Sequence, residues 1–389
     1  MTEQHSDIQN SSNNKSQQRK KGLSIFILLL LLIAIGSAAY WYLFIKGFEE
    51  TEDAYVSGNQ VMVSAQVAGN ISKINVDNMD PVQAGDVLLE LDDTNAKLSF
   101  EQAKSNLANA VRQISQLNYT VKQLKSAVRA NEITLAQAQG NLNRRVQLVK
   151  DGAIDKESFQ HAKEAVELAK ANLTTSQNQL EANQALLLDG PLSEQPQIQS
   201  AVSNLKQAWL NLERTKIRSP IKGYVARRNA QVGQAVSVGG ALMAVVTTDQ
   251  MWLDANFKET QLTHMRIGQP VEIHFDLYGK DKTFNGKVVG IEMGTGSAFS
   301  LLPTQNATGN WIKVVQRVPV RIQLDPQQLA ENPLRIGLSA TVKVNVSDSQ
   351  GETLRNQAPS TTLYSTNVLQ YDESAVNNLI ESIIRDNSY

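Results

Sequence analysis

The sequence lacks cysteine altogether, and it has only four histidines and a formal net charge of −1 over 389 residues. Without cysteine, a disulfide framework, a thiolate zinc site, an iron–sulfur cluster and a cysteine nucleophile are all excluded. The four histidines show neither HExxH nor His-x-His spacing, which disfavours a metal-dependent hydrolase. A net charge near zero argues against a nucleic-acid partner. We therefore expect no metal, no cofactor and no nucleic acid.

Catalytic signatures are lacking as well. The chain contains no P-loop, no GxGxxG in a suitable context and no Ser/His/Asp signature. Asp92 and Asp93 are adjacent carboxylates on a turn, where they suit the start of a helix better than an acid–base pair. These absences predict that the protein is not an enzyme and has no catalytic residue.

One long apolar run is present, at residues 22–45, and no second run of this length follows. A helix needs about 20 apolar residues to cross the hydrocarbon core of a bilayer. Basic residues precede the run and acidic residues follow it, so the positive-inside rule predicts a cytoplasmic N-terminus with the bulk of the chain outside. We expect residues 1–21 to be a disordered cytoplasmic tail and residues 22–45 to be a single-pass anchor. The alternative is a cleaved signal peptide with an unusually long leader.

Two stretches of the chain repeat each other. Residues 64–92 align without a gap to residues 218–246, at a constant offset of 154 (218 minus 64). Alternating apolar residues and matching glycines predict short strands and tight turns in both. The matched pairs are Val67 with Ile221, Gly69 with Gly223, Ile71 with Val225, Asn75 with Asn229, Val82 with Val236, Gly85 with Gly239, and Leu88 with Leu242. Because each half is too small to hold a core, we expect the two to close into one β-sandwich.

This repeat resembles the two halves of a lipoyl or biotinyl carrier domain. In those carriers a lysine at the hairpin between the halves is modified. Here Leu91-Asp92-Asp93-Thr94 occupies that place and a long insertion follows. We therefore expect a lipoyl-like fold without a covalent carrier function.

The insertion, residues 95–214, predicts a long antiparallel coiled-coil hairpin. Apolar residues recur at steps of three and four, as the seam between two helices requires. In the first arm these residues include Leu107, Val111, Ile114, Leu117, Val121, Leu124, Val128, Leu135, Ala138, Leu142, Val146 and Val149. In the second arm they include Phe159, Ala162, Val166, Ala169, Leu173, Ser176, Leu180, Asn183 and Leu187, and then Ile198, Val202, Leu205, Trp209 and Leu212. Asp151-Gly152 separates the arms, and Asp155 suits the N-cap of the second.

The second arm carries two irregularities. Asp189-Gly190-Pro191 must interrupt the helix locally, because proline removes a backbone donor. Several seam positions, such as Ala162 and Ser176, are small or polar. They indicate either loose packing or faces for neighbouring copies, with the polar residues setting the register.

The rest of the chain alternates in the manner of β-strands. Residues 250–346 predict a β-barrel domain, and residues 46–60 predict a linker with the first strand of that barrel. A loop at 294–311 carries Phe299, Leu301 and Leu302. These side chains either fold back onto the barrel or present an apolar surface to a partner or substrate. The tail, residues 347–389, is polar with a short amphipathic helix near 373–384.

Several strings in the chain resemble one family of adaptors. They are TEDAYVSGN at 51–59, RTKIRSPIKGYVARR at 214–228, MWLDANFKETQ at 251–261, MRIGQPV at 265–271, and MGTGSAFSLLPTQNATGNWIKVVQRVPVRI at 293–322. With the order of parts, they are similar to the EmrA-type periplasmic adaptors, or membrane fusion proteins, of the HlyD-like superfamily. The likeness covers about residues 20–346.

The resemblance implies an elongated mixed α and β fold. It has a transmembrane helix, a β-barrel, a lipoyl-like sandwich of two half-motifs and a coiled-coil hairpin. The expected segments are 1–21, 22–45, 46–60, 61–94 (first half-motif), 95–214 (hairpin), 215–249 (second half-motif), 250–346 (barrel) and 347–389 (tail).

The resemblance also implies partners and a docking site. The partners would be an EmrB-like major facilitator antiporter in the inner membrane, a TolC-like outer-membrane channel and further copies of the chain. Many family members carry an Arg-x3-Leu-x6-Ser pattern at the hairpin tip, and the matching positions here are Arg144, Leu148 and Asp155. Aspartate preserves a helix cap but places a charge where the pattern has a hydroxyl, and Arg144 could also be an ordinary solvated charge.

Together these features predict an adaptor of a tripartite multidrug efflux pump at the bacterial inner membrane. An adaptor of an ABC-driven, type I-like export system is the alternative within the same architecture. A structural envelope tether without a transporter is a third reading.

Overall fold

A computed structural model describes residues 23, 25–37, 47–279, 281–299, 313–357 and 360–388. These residues form two compact units. Unit 1 comprises the described parts of Met1–Val61 and Val245–Ser365, and unit 2 comprises those of Met62–Ala244 and Thr366–Tyr389. The chain thus passes from one unit to the other three times.

Part of the predicted anchor lies in the described residues. Residues 25–37 are helical and their large apolar side chains are exposed, whereas residues 22, 24 and 38–45 lie outside the description, as does the tail at 1–21. Within the described part of the chain, no helix meets the length and apolarity needed to cross a bilayer.

From residue 47 onward, the described residues contain twelve strands and five α-helices. The strands are β1 (Phe48–Ser64), β2 (Gly69–Ile74), β3 (Pro81–Val82), β4 (Val87–Leu91), β5 (Lys216–Arg218), β6 (Gly223–Arg228), β7 (Ala235–Val236), β8 (Ala241–Lys258), β9 (Pro270–Phe275), β10 (Phe284–Ile291), β11 (Arg317–Leu324) and β12 (Ser339–Asn345). The helices are α1 (Thr94–Lys150), α2 (Lys156–Gln184), α3 (Pro196–Glu213), α4 (Pro326–Glu331) and α5 (Ser374–Asn387).

Unit 1 is a closed β-barrel. Its strands follow the order β1-β12-β9-β10-β11-β8, and β8 pairs with β1, which closes the sheet. Thr51 reinforces this junction, since its hydroxyl donates to the Asn256 carbonyl oxygen at 2.9 Å. Among the described strands of the barrel, closure leaves no unpaired edge. The β-strand alternation predicted from the sequence is confirmed, because inward residues of β8 such as Leu253, Ala255 and Phe257 are fully buried.

Unit 2 contains the two repeated halves as one β-sandwich. Strands β5-β4-β2-β7 form one four-stranded sheet, while β3 pairs antiparallel with β6. The two halves exchange strands, because β2 of the first half pairs with β7 of the second, and β6 of the second pairs with β3 of the first. The core therefore needs both halves, as the repeat in the sequence suggested.

Backbone hydrogen bonds of one half of the sandwich recur in the other half at the 154-residue offset of the repeat. Asn75 N–H donates to the Leu88 carbonyl oxygen, and Asn229 N–H donates to that of Leu242, both at 2.9 Å. Three pairs of hydrogen bonds between the halves are related by the same offset. The Ile71 N–H donates to Gln234 O as the Val225 N–H donates to Asp80 O, and the Gly85 N–H donates to Ser219 O as the Gly239 N–H donates to Ala65 O. In the third pair, the Gly233 N–H donates to Ile71 O and the Met79 N–H donates to Val225 O. The two halves are thus related by a pseudo-two-fold symmetry at the level of single backbone bonds.

The long insertion is an antiparallel pair of arms. The first arm is α1, which has 57 residues and a length of about 85 Å at 1.5 Å per residue. The returning arm is split into α2 and α3 by a segment with a short 3-10 turn at Leu192–Glu194. Gln195 bridges this break, because its side-chain amide exchanges two hydrogen bonds with the backbone of Leu188. The predicted interruption at 189–191 is confirmed.

The predicted seam lies between the arms. All of its positions are buried or half-buried, and Leu107, Val111, Ile198 and Leu205 are fully enclosed. Near mid-length the seam is polar, since the Asn131 side-chain amide donates to the Ser176 hydroxyl at 2.6 Å.

The C-terminal segment adds a third helix at the base of the hairpin. Val376 and Ile380 of α5 are 2% and 7% exposed and belong to the same apolar cluster as Leu107, Ile114 and Leu205. The Lys206 ammonium lies 2.8 Å from the Glu373 carboxylate. Because α5 buries its apolar face on α1 and α3, the base of the arms is a three-helix bundle, and the predicted amphipathic helix is present.

Candidate functional site at the hairpin tip

The turn at the hairpin tip is defined by backbone hydrogen bonds. Ala153 N–H donates to the Leu148 carbonyl oxygen at 2.8 Å, and Gly152 N–H donates to that of Val149 at 3.1 Å. Gly152 has a φ of +70°. These bonds and the left-handed glycine form a Schellman motif, which satisfies the last carbonyl groups of α1. The Asp151-Gly152 break predicted from the sequence is therefore a specific helix stop.

Asp155 starts the returning arm. Its carboxylate accepts a hydrogen bond from the Ser158 backbone N–H at 2.5 Å and another from the Ser158 hydroxyl at 2.9 Å. These two bonds, the backbone bond first, lower the pKa of the Asp155 carboxyl below its ordinary value. Asp155 is thus an ionised N-cap, as the sequence predicted, and it carries its charge at the tip.

The other two predicted tip residues are exposed side chains. Arg144 and Leu148 lie one turn apart near the end of α1, and Leu148 is 43% exposed. The Arg144 guanidinium donates to the Asn141 side-chain oxygen on its own helix. The structure therefore brings a cation, an apolar side chain and a carboxylate to the same end of the hairpin. Such a set can make specific contacts with a protein partner.

The barrel loop is described only at its start. Ala298 N–H donates to the Thr295 carbonyl oxygen at 2.9 Å, and the Ser297 hydroxyl donates to the Gln316 side chain at 2.9 Å. Phe299 is 70% exposed. Leu301 and Leu302 lie outside the described residues, so the expectation for these two remains a prediction.

Sequence reasoning missed two features of the arms. One is the Asn131–Ser176 hydrogen bond, because polar Asn131 adds nothing to an apolar periodicity, although its position fits the step from Val128 to Leu135. The other is the contact of α5 with the hairpin base. The only signal for it was the amphipathic pattern of the tail, and such a pattern does not name the surface that it covers. Among the described residues, no group of His, Asp and Glu could hold a metal ion.

Two family models match this chain. Residues 94–215 match the model described as EMRA, alpha-helical hairpin domain, and residues 250–345 match the AAEA-like beta-barrel domain. The two matches cover the arms of unit 2 and most of unit 1. The C-terminal helix α5 lies beyond both of them.

Curated relatives match over nearly the whole chain. The Multidrug export protein EmrA of Haemophilus influenzae is 77% identical over 368 residues, which are 95% of this chain and 94% of that protein. The Multidrug export protein EmrA of Escherichia coli is 50% identical over 355 residues, which are 91% of each. The Fatty acid resistance protein FarA of Neisseria gonorrhoeae is 52% identical over 299 residues, covering 77% of this chain and 76% of that protein.

Proposed function

The chain belongs to the EmrA family of membrane fusion proteins, and from this membership we propose that it is the adaptor subunit of a tripartite multidrug efflux pump. One observation carries the proposal, namely 77% identity across 95% of the chain to a multidrug export protein. At this level of identity the described barrel, sandwich and hairpin are expected to serve the same purpose in both proteins.

We propose a single-pass inner-membrane location with most of the chain in the periplasm. The apolar run at 22–45 and the charges that flank it support this placement. We further propose an EmrB-like antiporter as the inner-membrane partner and a TolC-like channel as the outer-membrane partner. The antiporter would supply the proton-coupled work, and the adaptor would make and break no bond.

In this proposal the hairpin provides the length that extends from the inner membrane toward the outer-membrane channel. A continuous α1 of about 85 Å and a returning arm in register with it form a stiff rod, because each arm buries the apolar seam of the other. Several copies side by side would enclose a conduit for substrate. The exposed set of Arg144, Leu148 and Asp155 at the tip would then contact the channel.

Shortening the hairpin in register tests the proposed reach. Because Asn131 opposes Ser176, residues 124–137 of α1 lie opposite residues 170–183 of α2. Removing both segments takes two heptads, or about 21 Å, from each arm and leaves the tip and the base bundle intact. We expect drug resistance of a host lacking its own adaptor to fall to the level of the empty host. Membrane insertion and the helical circular-dichroism signal per residue should persist.

The matched control replaces the same segments with heptad sequence of equal length. It keeps the reach and should keep resistance. Full resistance in the shortened chain would reject the conduit role.

In the same cells, affinity purification of the full-length chain should recover an antiporter of the major facilitator class. Recovery of an ABC transporter in its place would favour the alternative export system.

Tip substitutions test the proposed channel contact. Arg144→Ala with Leu148→Ala should reduce the outer-membrane channel recovered with the protein at least several-fold, while the amount of co-purified antiporter stays unchanged. Arg145→Ala is the matched control, because Arg145 is also an exposed cation of the last turns of α1. Equal channel recovery in the double variant and the control would contradict docking through these residues.

A further inference from the structure

The barrel of unit 1 has one end at which the chain enters it. β1 begins there at Phe48, and just past β12 the Val346 N–H donates to the Gly47 carbonyl oxygen at 2.9 Å. The antiparallel registers bring the end of β8, the start of β9, the end of β10 and the start of β11 to the same end. This proximal end is bounded by the strand termini Phe48, Lys258, Pro270, Ile291, Arg317 and Asn345.

Large apolar side chains are exposed in the connection between β10 and β11, at the proximal end. Met293 and Phe299 follow β10 and are 79% and 70% exposed. Val314 and Val315 precede β11; the first is 64% exposed and the second is about half exposed. Exposed apolar residues that occur as a group, rather than singly, are typical of a surface that another molecule covers.

Contacts within the connection hold these side chains together. The Phe299 ring lies on Gly294, next to Met293, where an added Cβ would collide with the ring. The Ser297 hydroxyl donates to the Gln316 side chain at 2.9 Å, so the segment after β10 is tied to the segment before β11. The four residues therefore form one proximal patch, which consists of Met293, Phe299, Val314 and Val315.

The length of the chain places a bilayer beside this patch. The apolar run proposed as the anchor ends at residue 45, and Tyr40, Trp41 and Phe44 suit the headgroup level at its outer end. Three residue steps (48 minus 45) lead from there to the start of β1, and they span at most about 11 Å. The headgroup layer on one side of a bilayer is about 5–7 Å thick. The proximal end must therefore lie against the headgroups.

We propose that the proximal patch inserts into the lipid leaflet from which the anchor emerges. The inference rests on the proposed single-pass location, and it goes beyond the adaptor role because it gives the barrel a lipid contact of its own. Glu292 and Lys313 flank the patch with opposite charges, so apolar insertion rather than attraction to anionic lipid drives the contact. Lipid is favoured over a protein partner, because the chain connection puts lipid beside the patch whether or not a transporter is bound.

This contact would fix the orientation of the barrel. The connection between anchor and barrel is short but is a single chain, which by itself allows the barrel to rotate on the membrane surface. A second contact through the patch removes that freedom, so that every copy presents the barrel to the bilayer in the same way.

Fluorescence quenching by lipid tests the insertion. Because the chain has no cysteine, a single-cysteine variant of the full-length protein carries one label without further changes. Val314→Cys places a nitrobenzoxadiazole label in the patch. Leu277→Cys is the matched control, because Leu277 is an exposed apolar residue at the opposite end of the barrel, past the six-residue β9 and thus about 20 Å away.

Both labelled proteins are reconstituted into dioleoylphosphatidylcholine vesicles, with and without a phosphatidylcholine that carries a nitroxide near the top of one acyl chain. We expect the nitroxide lipid to quench the label at position 314 at least twofold and to leave the label at position 277 unchanged. Phe299→Asp, with the label kept at position 314, should remove more than half of the quenching, because a carboxylate is costly in the acyl region. Leu277→Asp with the same label should change nothing, and thermal unfolding checks that both variants are folded.

Equal quenching of the labels at positions 314 and 277 would overturn the inference, and so would quenching at 314 that Phe299→Asp leaves undiminished. A label at 314 that is shielded only when an antiporter is reconstituted with the chain would also overturn it, since the patch would then bind protein. Alkaline extraction of the vesicles tests the anchor separately, and drug resistance tests the efflux role. A chain that resists extraction and confers resistance, but whose label at 314 is unquenched, would contradict the lipid contact alone.

Discussion

At the residue scale, the two halves of the sandwich differ at one pair of equivalent backbone positions. Met79 and Gly233 are related by the repeat, and each donates its N–H to the partner half at 2.8 Å. Both adopt left-handed backbone, with φ values of +75° and +82°. Met79 is the one described non-glycine residue with a positive φ, and its side chain is 84% exposed. It therefore bears strain that no packing of its side chain offsets.

We predict that Met79→Gly stabilises the protein by about 0.5–1 kcal/mol. Left-handed backbone costs an L-residue roughly 1–2 kcal/mol, which the substitution relieves. The greater conformational freedom of glycine in the unfolded chain offsets part of this stabilisation. The reciprocal variant Gly233→Met should lose a similar amount. Thermal unfolding followed by circular dichroism compares the two with the unaltered chain. A lower melting temperature for Met79→Gly would show that the Met79 side chain makes a stabilising contact.

At the element scale, helix α5 makes the hairpin base a bundle of three helices. The pattern of the tail in the sequence suggested an amphipathic helix, and that helix is present at Ser374–Asn387. The arms themselves supply the surface that it covers, through the cluster that contains Val111 and Ala208. Since α5 follows the barrel in the chain, its contact with the arms is a non-local one.

We predict that Ile380→Ala lowers the free energy of unfolding of unit 2 by about 2–4 kcal/mol. Ile380 is 7% exposed within the apolar cluster, and truncation of a buried isoleucine leaves a cavity. Asn378→Ala, at an exposed position of the same helix, is the matched control and should stay within about 0.5 kcal/mol. Urea titration measures both. A change in Ile380→Ala no larger than that of the control would mean that α5 detaches in solution.

At the scale of the whole molecule, aspartates precede four of the five helices, namely Asp92, Asp155, Asp325 and Asp372, and the pKa of three of these carboxyls is lowered. The pKa of the Asp92 carboxyl is lowered by the Thr94 hydroxyl and then by the Thr94 N–H. The pKa values of Asp155 and Asp372 are lowered by the backbone N–H groups of Ser158 and Ser374 and then by the hydroxyls of the same serines. Asp93, the N-cap residue of α1, makes no side-chain capping hydrogen bond, and its carboxylate pairs with Lys97 at 2.9 Å.

This arrangement predicts a loss of stability in acid. Because these pKa values are lower in the folded chain than the ordinary value of 3.8, the carboxylates contribute fully above pH 3.8. Their contribution is lost as the pH falls below 3.8 toward the folded values. Melting temperatures measured between pH 6 and pH 2.5 should therefore decline more steeply in the unaltered chain than in a variant with Asp92→Asn, Asp155→Asn and Asp372→Asn. Parallel curves would contradict this account.

The sequence alone determined most of the local architecture. The steps of three and four in the arms predicted seam residues that are buried, because a helix places such positions on one face whatever its partner. The repeat predicted a single sandwich, because neither half alone buries enough apolar surface to form a core. Asp155 and Gly152 were readable as helix start and stop because capping depends on residues a few positions apart.

Only the tertiary structure decided the contacts between segments that are distant in the chain. The Asn131–Ser176 bond depends on the register of two arms, and periodicity states which face is buried but not which residues meet. The docking of α5 likewise depends on where the tail returns. Sequence patterns report local periodicity, whereas the pairing of remote surfaces is set by the folding of the whole chain.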